Sequence, residues 1–135
     1  PYLVKAVIKR ESDFVAYCVG AAGERGLMQI TPGAVEDWER KTGNSCPHPG
    51  LLFNPALNIE IGTWYLARAL KRWQEYDDAE VLALAEYNAG PSRARAWAPA
   101  SPDGNALKGV RFPGTRHYIS SILDYKNDYT SKVQR

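Results

Sequence analysis

The chain has 135 residues, of which 44% are hydrophobic and 24% are charged, a composition typical of one folded domain and not of a disordered segment. Its 17 Lys and Arg residues stand against 15 Asp and Glu residues, and this near balance argues against a nucleic-acid-binding protein. Since the sequence contains no run of about 18 apolar residues, a membrane-spanning helix is not predicted either.

The first predicted element is a helix that ends near Ser12. Apolar residues at helical spacing in 2–8 run directly into Glu11, which extends the same apolar stripe. If this stripe faces a core or a cleft wall, burial disfavours the charged form of Glu11 and raises its pKa, so that a neutral carboxyl group can donate a proton. The alternative is a Glu11 exposed at a frayed helix end. Residues 13–30 mix glycines with short apolar pieces, which predicts an irregular loop with at most a small β-hairpin.

Two proline pairs predict the starts of the next helices. Thr31 is a good N-cap before Pro32, and Gly43 is the expected stop of this second helix. The pair at 54–55 repeats the signal, and an apolar stripe then continues to residue 73. Gly62, inside this long helix, costs about 1 kcal/mol relative to alanine, which predicts that another backbone packs closely against it.

The remaining chain also reads as helices joined by turns. Asp77 or Asp78 is the expected cap of a fourth helix, which ends in the sequence Asn-Ala-Gly-Pro at 88–91. The later segments are predicted as a short helix over 92–97, a loop over 99–113 and a terminal helix from 115 to about 132, with Tyr118, Ile122, Tyr125 and Tyr129 on one stripe. Because no segment alternates apolar and polar residues, we expect a mainly α domain.

The two cysteines, Cys18 and Cys46, both fall in segments rich in glycine, proline and small residues. A disulfide between them is a candidate, and it would stabilise the fold by roughly 3 to 4 kcal/mol on the chain-entropy model. Two unpaired thiols are the equal alternative. A zinc site is not predicted, because His48 and His117 lie in distant segments, and no metal or cofactor is expected.

Four blocks of sequence, in this order, resemble the soluble lytic transglycosylases: Glu11-Ser12; Gly23 to Pro32; Asn58-Ile59 with Gly62 and Tyr65-Leu66; and Ala85 to Pro91. The segment 112–119 resembles the family's closing motif, so the resemblance covers nearly the whole chain. It implies a lysozyme-like fold related to goose-type lysozyme, with helices around a substrate cleft. It also implies cleavage of the β-1,4 bond between N-acetylmuramic acid and N-acetylglucosamine, with formation of a 1,6-anhydro ring.

The resemblance also implies roles for individual residues. Glu11 matches the single catalytic glutamate, and Tyr87 matches the tyrosine whose hydroxyl approaches it. Met28 is as well explained as a core residue, and Asn88 with Gly90 mainly as a helix stop. The positions that the resemblance assigns to substrate binding are Ser12, Met28, Gln29, Asn88, Arg116 and Tyr118.

A single glutamate fits this chemistry. Ordinary retaining or inverting glycosidases need two carboxylates roughly 5 to 9.5 Å apart. Here one acid first protonates the leaving oxygen and then, as carboxylate, takes a proton from the sugar's own 6-hydroxyl. Two departures from the family pattern are Gly20, where members commonly carry serine, and Gly114, where many carry glutamate.

Two other functions compete with this hypothesis. A goose-type lysozyme or chitinase-like hydrolase would use Glu24 or Glu86 to position water, and a non-catalytic peptidoglycan-binding domain would need no perturbed Glu11. We expect one domain over 1–135, excised from a longer protein, that acts as a monomer on peptidoglycan strands in the periplasm or cell envelope of a bacterium. Arg93, Arg95 and Arg111 match no known nucleic-acid module, so no nucleic-acid partner is expected.

Overall fold

The computed structural model describes residues 1–133, and helices dominate this part of the chain. Two isolated bridges, Val19 with Arg25 and Arg25 with Ile30, are the only β-pairing among the described residues. The prediction of a mainly α protein is therefore confirmed. The helices are α1 (Tyr2–Ser12), α2 (Pro32–Thr42), α3 (Pro55–Arg72), α4 (Ala79–Ala89), α5 (Pro91–Trp97), α6 (Ala106–Gly109) and α7 (Pro113–Val133), with a 3-10 helix at Pro49–Phe53.

The predicted helix starts and stops are confirmed where capping residues set them. The Thr31 hydroxyl accepts a hydrogen bond from the Ala34 amide at 3.1 Å, and Gly43 ends α2 with φ of 77°. Asn54 caps α3 in the same way, accepting from the Leu57 amide at 3.2 Å. Because these capping contacts form between residues close in the chain, the helix boundaries they set can be predicted from the sequence.

Two short helices were not predicted. The 3-10 helix at 49–53 and α6 both lie in segments rich in proline and glycine. In α6 the Asn105 side chain caps Lys108, while the Asp78 carboxylate accepts from the Ala106 amide at 2.9 Å. Asp78 therefore serves another segment and makes no side-chain cap bond to its own helix, α4.

The chain groups into two compact units, the first of which contains residues 1–65 and the chain from Tyr125 onward. Its core is formed by fully buried apolar side chains of α1, α3 and the intervening loop, among them Val7, Met28 and Ile61. The ammonium group of Lys5, on α1, lies 4.2 Å from the centre of the Tyr129 ring. The single domain expected over 1–135 stays a prediction.

The second unit contains residues Leu66–Asp124. Its core includes Leu82 and Leu84 of α4 together with Ile119 and Ile122 of α7, all with no exposed surface. Helix α4 is buried on most of its surface, because five consecutive apolar residues from Val81 to Ala85 are buried. This buried helix carries Tyr87 and Asn88, two of the predicted site residues.

Candidate functional site

Glu11 lies in the last turn of α1 and is half-buried, which places it between the two alternatives of an enclosed and a fully exposed carboxylate. The next residue, Ser12, is only 7% exposed. Its hydroxyl donates to the Leu27 carbonyl at 2.8 Å, and the Ile8 carbonyl lies 3.1 Å away as a second acceptor. Ser12 thus ties the end of α1 to the loop that follows, and its hydroxyl is engaged with backbone carbonyls inside the protein.

The loop between α1 and α2 contains all of the non-glycine residues with positive φ in the described chain. They are Asp13 (50°), Phe14 (65°) and Gln29 (51°). Such conformations are uncommon outside glycine and are typical of functional segments that the surrounding fold holds in place. Two of them directly follow Glu11 and Ser12, so the backbone is strained where the predicted catalytic residue lies.

Met28 is fully buried in the first unit. Its amide donates to the Asn58 side-chain oxygen at 2.8 Å, and the Asn58 amide group donates to the carbonyls of Arg25 and Leu52 at 2.9 and 2.8 Å. A Cβ on Gly62 would come within 2.9 Å of the Met28 Cβ. The structure therefore favours the core interpretation of Met28. The atoms nearest to a Cβ on Gly62 belong to the Met28 side chain, and the close approach of a backbone to Gly62 stays a prediction.

Gln29 closes the same loop. Its side-chain nitrogen donates to the carbonyls of Cys18 and Gly26, each at 3.0 Å, and the residue is half-buried. The Cys18 carbonyl also accepts from the Gly26 amide at 2.9 Å. The Gln29 amide nitrogen is thus used within the loop, which leaves the carbonyl end of this side chain as the part suited to a substrate N–H group.

The candidate disulfide between Cys18 and Cys46 is not formed, because both residues are free thiols. Cys46 is 8% exposed, and its Sγ donates to the His48 carbonyl at 3.5 Å. Burial and the nearby Glu39 carboxylate raise the pKa of the Cys46 thiol. Its local hydrogen bond and its neutral state both suit an unreactive buried thiol.

The departure from the family pattern at Gly20 has a structural counterpart that the sequence did not reveal. The Glu24 carboxylate fills the space of a side chain at position 20, and its Cγ lies 2.6 Å from where a Cβ would stand. The backbone of this turn is closed by the Gly20 amide, which donates to the Glu24 carbonyl at 2.8 Å. In the sequence, the one feature that relates these two residues is their spacing of four positions, which does not by itself predict the contact.

In the second unit, Tyr87 lies in the last turn of α4 and is half-buried. The preceding residue, Glu86, is 1% exposed, and its Oε1 lies 3.1 Å from both the Trp73 indole nitrogen and the Arg72 Nε. A carboxylate engaged in this way is poorly suited to position a water molecule, which weakens one form of the hydrolase alternative.

A hydrogen bond next to Tyr87 links the end of α4 to the start of α7. The exposed Asn88 accepts a hydrogen bond from the Thr115 hydroxyl at 2.7 Å, and Gly90 ends the helix with φ of 94°. Arg116 is exposed next to Thr115, whereas Tyr118 is 2% exposed. The structure therefore brings Asn88 and the start of α7 together, and it places Tyr118 in the core.

Residues 1–133 contain no group of three or more His, Cys, Asp or Glu side chains arranged to hold a metal ion. None of the helices in this range combines the length and the apolar character of a membrane span.

Comparison with known proteins defines the class to which this fold and these segments belong. Residues 1–108 match the family model of the transglycosylase SLT domain, and the chain belongs to this family. The soluble lytic murein transglycosylase of Salmonella typhimurium is 34% identical over 131 residues, and that of Escherichia coli is 33% identical over 129. Each match covers 92% of this chain but 20% of the relative, so the chain spans about one fifth of these proteins.

Solved structures show the same relationship. The 70 kDa soluble lytic transglycosylase of Escherichia coli matches with a TM-score of 0.88 and 28% identity over 98% of this chain and 22% of the other. The lytic transglycosylase Slt of Pseudomonas aeruginosa, an inactive mutant with one glutamate replaced by glutamine, matches with a TM-score of 0.87 and 29% identity over the same shares of the two chains. The predicted lysozyme-like fold is therefore confirmed.

Proposed function

We propose that this chain is the catalytic domain of a peptidoglycan lytic transglycosylase, with Glu11 as its acid and base. The observation that carries the proposal is the bond from Ser12 to Leu27, which joins the helix end that bears Glu11 to the strained loop containing Met28 and Gln29. Both segments lie within the 108 residues that match the SLT domain. The inactive glutamate-to-glutamine mutant of the Pseudomonas aeruginosa enzyme agrees with a glutamate-dependent reaction.

In the proposed mechanism the neutral Glu11 donates its proton to the glycosidic oxygen as the bond to C1 of N-acetylmuramic acid breaks. Positive charge develops on the sugar ring. The resulting carboxylate then takes the proton from the 6-hydroxyl, whose oxygen attacks C1 and closes the 1,6-anhydro ring. The acid is regenerated and no water is consumed. A tethered hydroxyl has a high effective concentration, so a bound water is not needed.

Two carboxylates that lie close in the sequence to Glu11 and Tyr87 are already engaged with cations. Asp13 forms an ion pair with Lys9, and Glu86 is buried against Arg72. A carboxylate already paired with a cation is poorly suited to be the second group that a two-carboxylate glycosidase requires, which agrees with a mechanism that uses one glutamate.

Tyr87 is proposed as the second catalytic residue. Its hydroxyl would stabilise the positive charge that develops on the sugar ring. Gln29, Asn88 and Arg116 are proposed to bind substrate, because each is at least partly exposed. The buried side chains of Ser12, Met28 and Tyr118 are proposed to act by holding these residues in position. We further propose that the domain works as a monomer in the periplasm or cell envelope of a bacterium.

The first test is mass spectrometry of the muropeptides released from purified peptidoglycan by the parent protein and by Glu11→Gln. We expect anhydro-muramic products from the parent and a loss of at least about 10²-fold in the variant, the smaller end of what acid–base groups contribute. Glu60→Gln, at an exposed carboxylate on α3, is the matched control and should retain activity. Products with reducing ends would identify a hydrolase, and no release by the parent would contradict an enzymatic function.

A further inference from the structure

In the turn from Gly20 to Glu24, on the loop that follows the proposed catalytic residue, the Glu24 carboxylate lies in the space next to Gly20. We propose that Glu24 is a substrate-binding residue, whose carboxylate accepts hydrogen bonds from the amide and hydroxyl groups of an N-acetylated amino sugar. This inference rests on the proposed function, because it names a further contact with the same glycan substrate.

Gly20 is needed for space and not for backbone conformation. Positive φ occurs in the same loop at Gly23 and Gly26, with values of 84° and 82°, but not at Gly20. A Cβ at Gly23 would meet nothing within 4 Å, whereas one at Gly20 would overlap the carboxyl group of Glu24. The absence of a side chain at position 20 therefore serves to accommodate Glu24.

The Glu24 side chain is folded back onto its own turn. Its Oε1 lies 3.4 Å from the Ala22 amide, and the Gly23 amide donates to the Gly20 carbonyl at 3.1 Å. A long charged side chain ordinarily loses conformational freedom when it binds a ligand. The Glu24 side chain already lies against its own turn, so a ligand that contacts it there does not have to draw it from an extended position.

The charge of Glu24 is not neutralised by a neighbouring cation in the part of the chain described. The adjacent Arg25 places its guanidinium group 5.5 Å from the centre of the Phe53 ring, and no ion pair joins Glu24 to a Lys or Arg among residues 1–133. A half-exposed carboxylate of this kind can only accept hydrogen bonds. Amino sugars offer hydroxyl and amide N–H donors, which makes them a complementary ligand.

The same small loop carries Gln29, which is proposed to bind the substrate. Gln29 and Gly26 both donate to the Cys18 carbonyl, and Gly20 follows Cys18 by two residues. Glu24 and Gln29 are thus two polar residues of one loop whose backbone is closed by hydrogen bonds. An acceptor-only group beside an amide would distinguish N-acetylated sugars from ligands that lack N–H donors.

The test removes the same carboxylate in two independent ways. Glu24→Ala deletes it, and Gly20→Ala displaces it, since the added Cβ needs the space that the end of a flexible side chain now fills. Binding to a soluble N-acetylglucosamine oligomer and to purified peptidoglycan is measured by calorimetry and co-sedimentation, with Glu11→Gln present in every protein to prevent cleavage. Each variant should weaken binding roughly tenfold, the effect of losing a hydrogen bond to a charged group.

The controls make the result specific to Glu24. Gly33→Ala, on α2, adds a Cβ that meets nothing within 4 Å and should leave binding unchanged. Glu24→Gln keeps an acceptor oxygen and should retain part of the affinity. The double variant Gly20→Ala with Glu24→Ala should be no weaker than either single variant, because both remove one contact.

Unchanged binding in Glu24→Ala, with a folded protein by circular dichroism, would overturn the inference. Additive losses in the double variant would also overturn it, because alanine at position 20 would then act by a different route. These outcomes differ from failure of the proposed function, which is the absence of anhydro products from the parent protein. If the parent releases those products and Glu24→Ala binds normally, only the role of Glu24 is rejected.

Discussion

The two segments that carry the proposed catalytic residues are held in place by different means. Glu11 lies in the last turn of α1, and a loop with a strained backbone follows it. This loop is held in place by side chains that donate hydrogen bonds to backbone carbonyls. Tyr87 stands near the end of α4, a helix fixed by its buried apolar surface and by Glu86. Loss of one polar contact should therefore act locally on the Glu11 loop, whereas disruption of α4 should act on the stability of its whole unit.

The largest effect is expected from Glu86→Leu. This change leaves the Trp73 indole nitrogen and Arg72 without their shared acceptor, Oε1 of Glu86. Removing one partner of a buried pair costs about 3 to 5 kcal/mol, and the lower value applies because the Arg72 side chain retains 31% exposure. The free energy of unfolding, measured in urea, should fall by about 3 kcal/mol.

Glu75→Leu, at an exposed position in the same unit, is the control and should shift the urea midpoint little. A loss in Glu86→Leu no greater than in this control would show that packing alone holds α4.

An intermediate effect is expected from Gly62→Ala. Alanine improves helix propensity by about 1 kcal/mol, but overpacking typically costs 1 to 3 kcal/mol. Because the new Cβ would lie 2.9 Å from the Met28 Cβ, which cannot rotate away, the loop backbone must move. We expect a net loss of stability of up to about 2 kcal/mol together with lower activity, measured by thermal unfolding and by muropeptide release.

Gly33→Ala serves again as the matched substitution, since open space surrounds that position. If both alanine variants were equally stable and active, the close contact between Met28 and Gly62 would not constrain the loop.

The smallest losses of stability are expected when a single side-chain hydroxyl group is removed, at Ser12 or at Thr115. Ser12→Ala removes the bond to the buried Leu27 carbonyl, and an unsatisfied buried acceptor costs about 1 kcal/mol or more. Thr115→Val removes the bond to Asn88, which is exposed and can bind water instead, so about 0.5 kcal/mol is expected. Ser12→Ala should also lower the rate of anhydro-product release more than Thr115→Val. The opposite order would mean that the second unit, and not the loop, is the more sensitive to polar contacts.

Much of this fold was predictable because its signals are local. The cap at Thr31, the stop at Gly43 and the pair at 54–55 act within a few residues, so they appear directly in the sequence. The same holds for Glu11, which both the apolar stripe and the motif resemblance place at the end of α1. The short α6 was missed because its cap acts in a segment whose prolines and glycines indicate a loop.

Within the candidate site, the sequence alone determined which residue types are present and on which elements they lie. Only the tertiary structure decided that Ser12 faces a carbonyl, that Asn58 holds the Met28 amide and that Glu24 fills the space above Gly20. The first two contacts join residues 15 and 30 positions apart, and the third depends on how a turn closes. Helical periodicity and capping describe a chain within one or two turns, whereas these partners are chosen by the packing of distant segments.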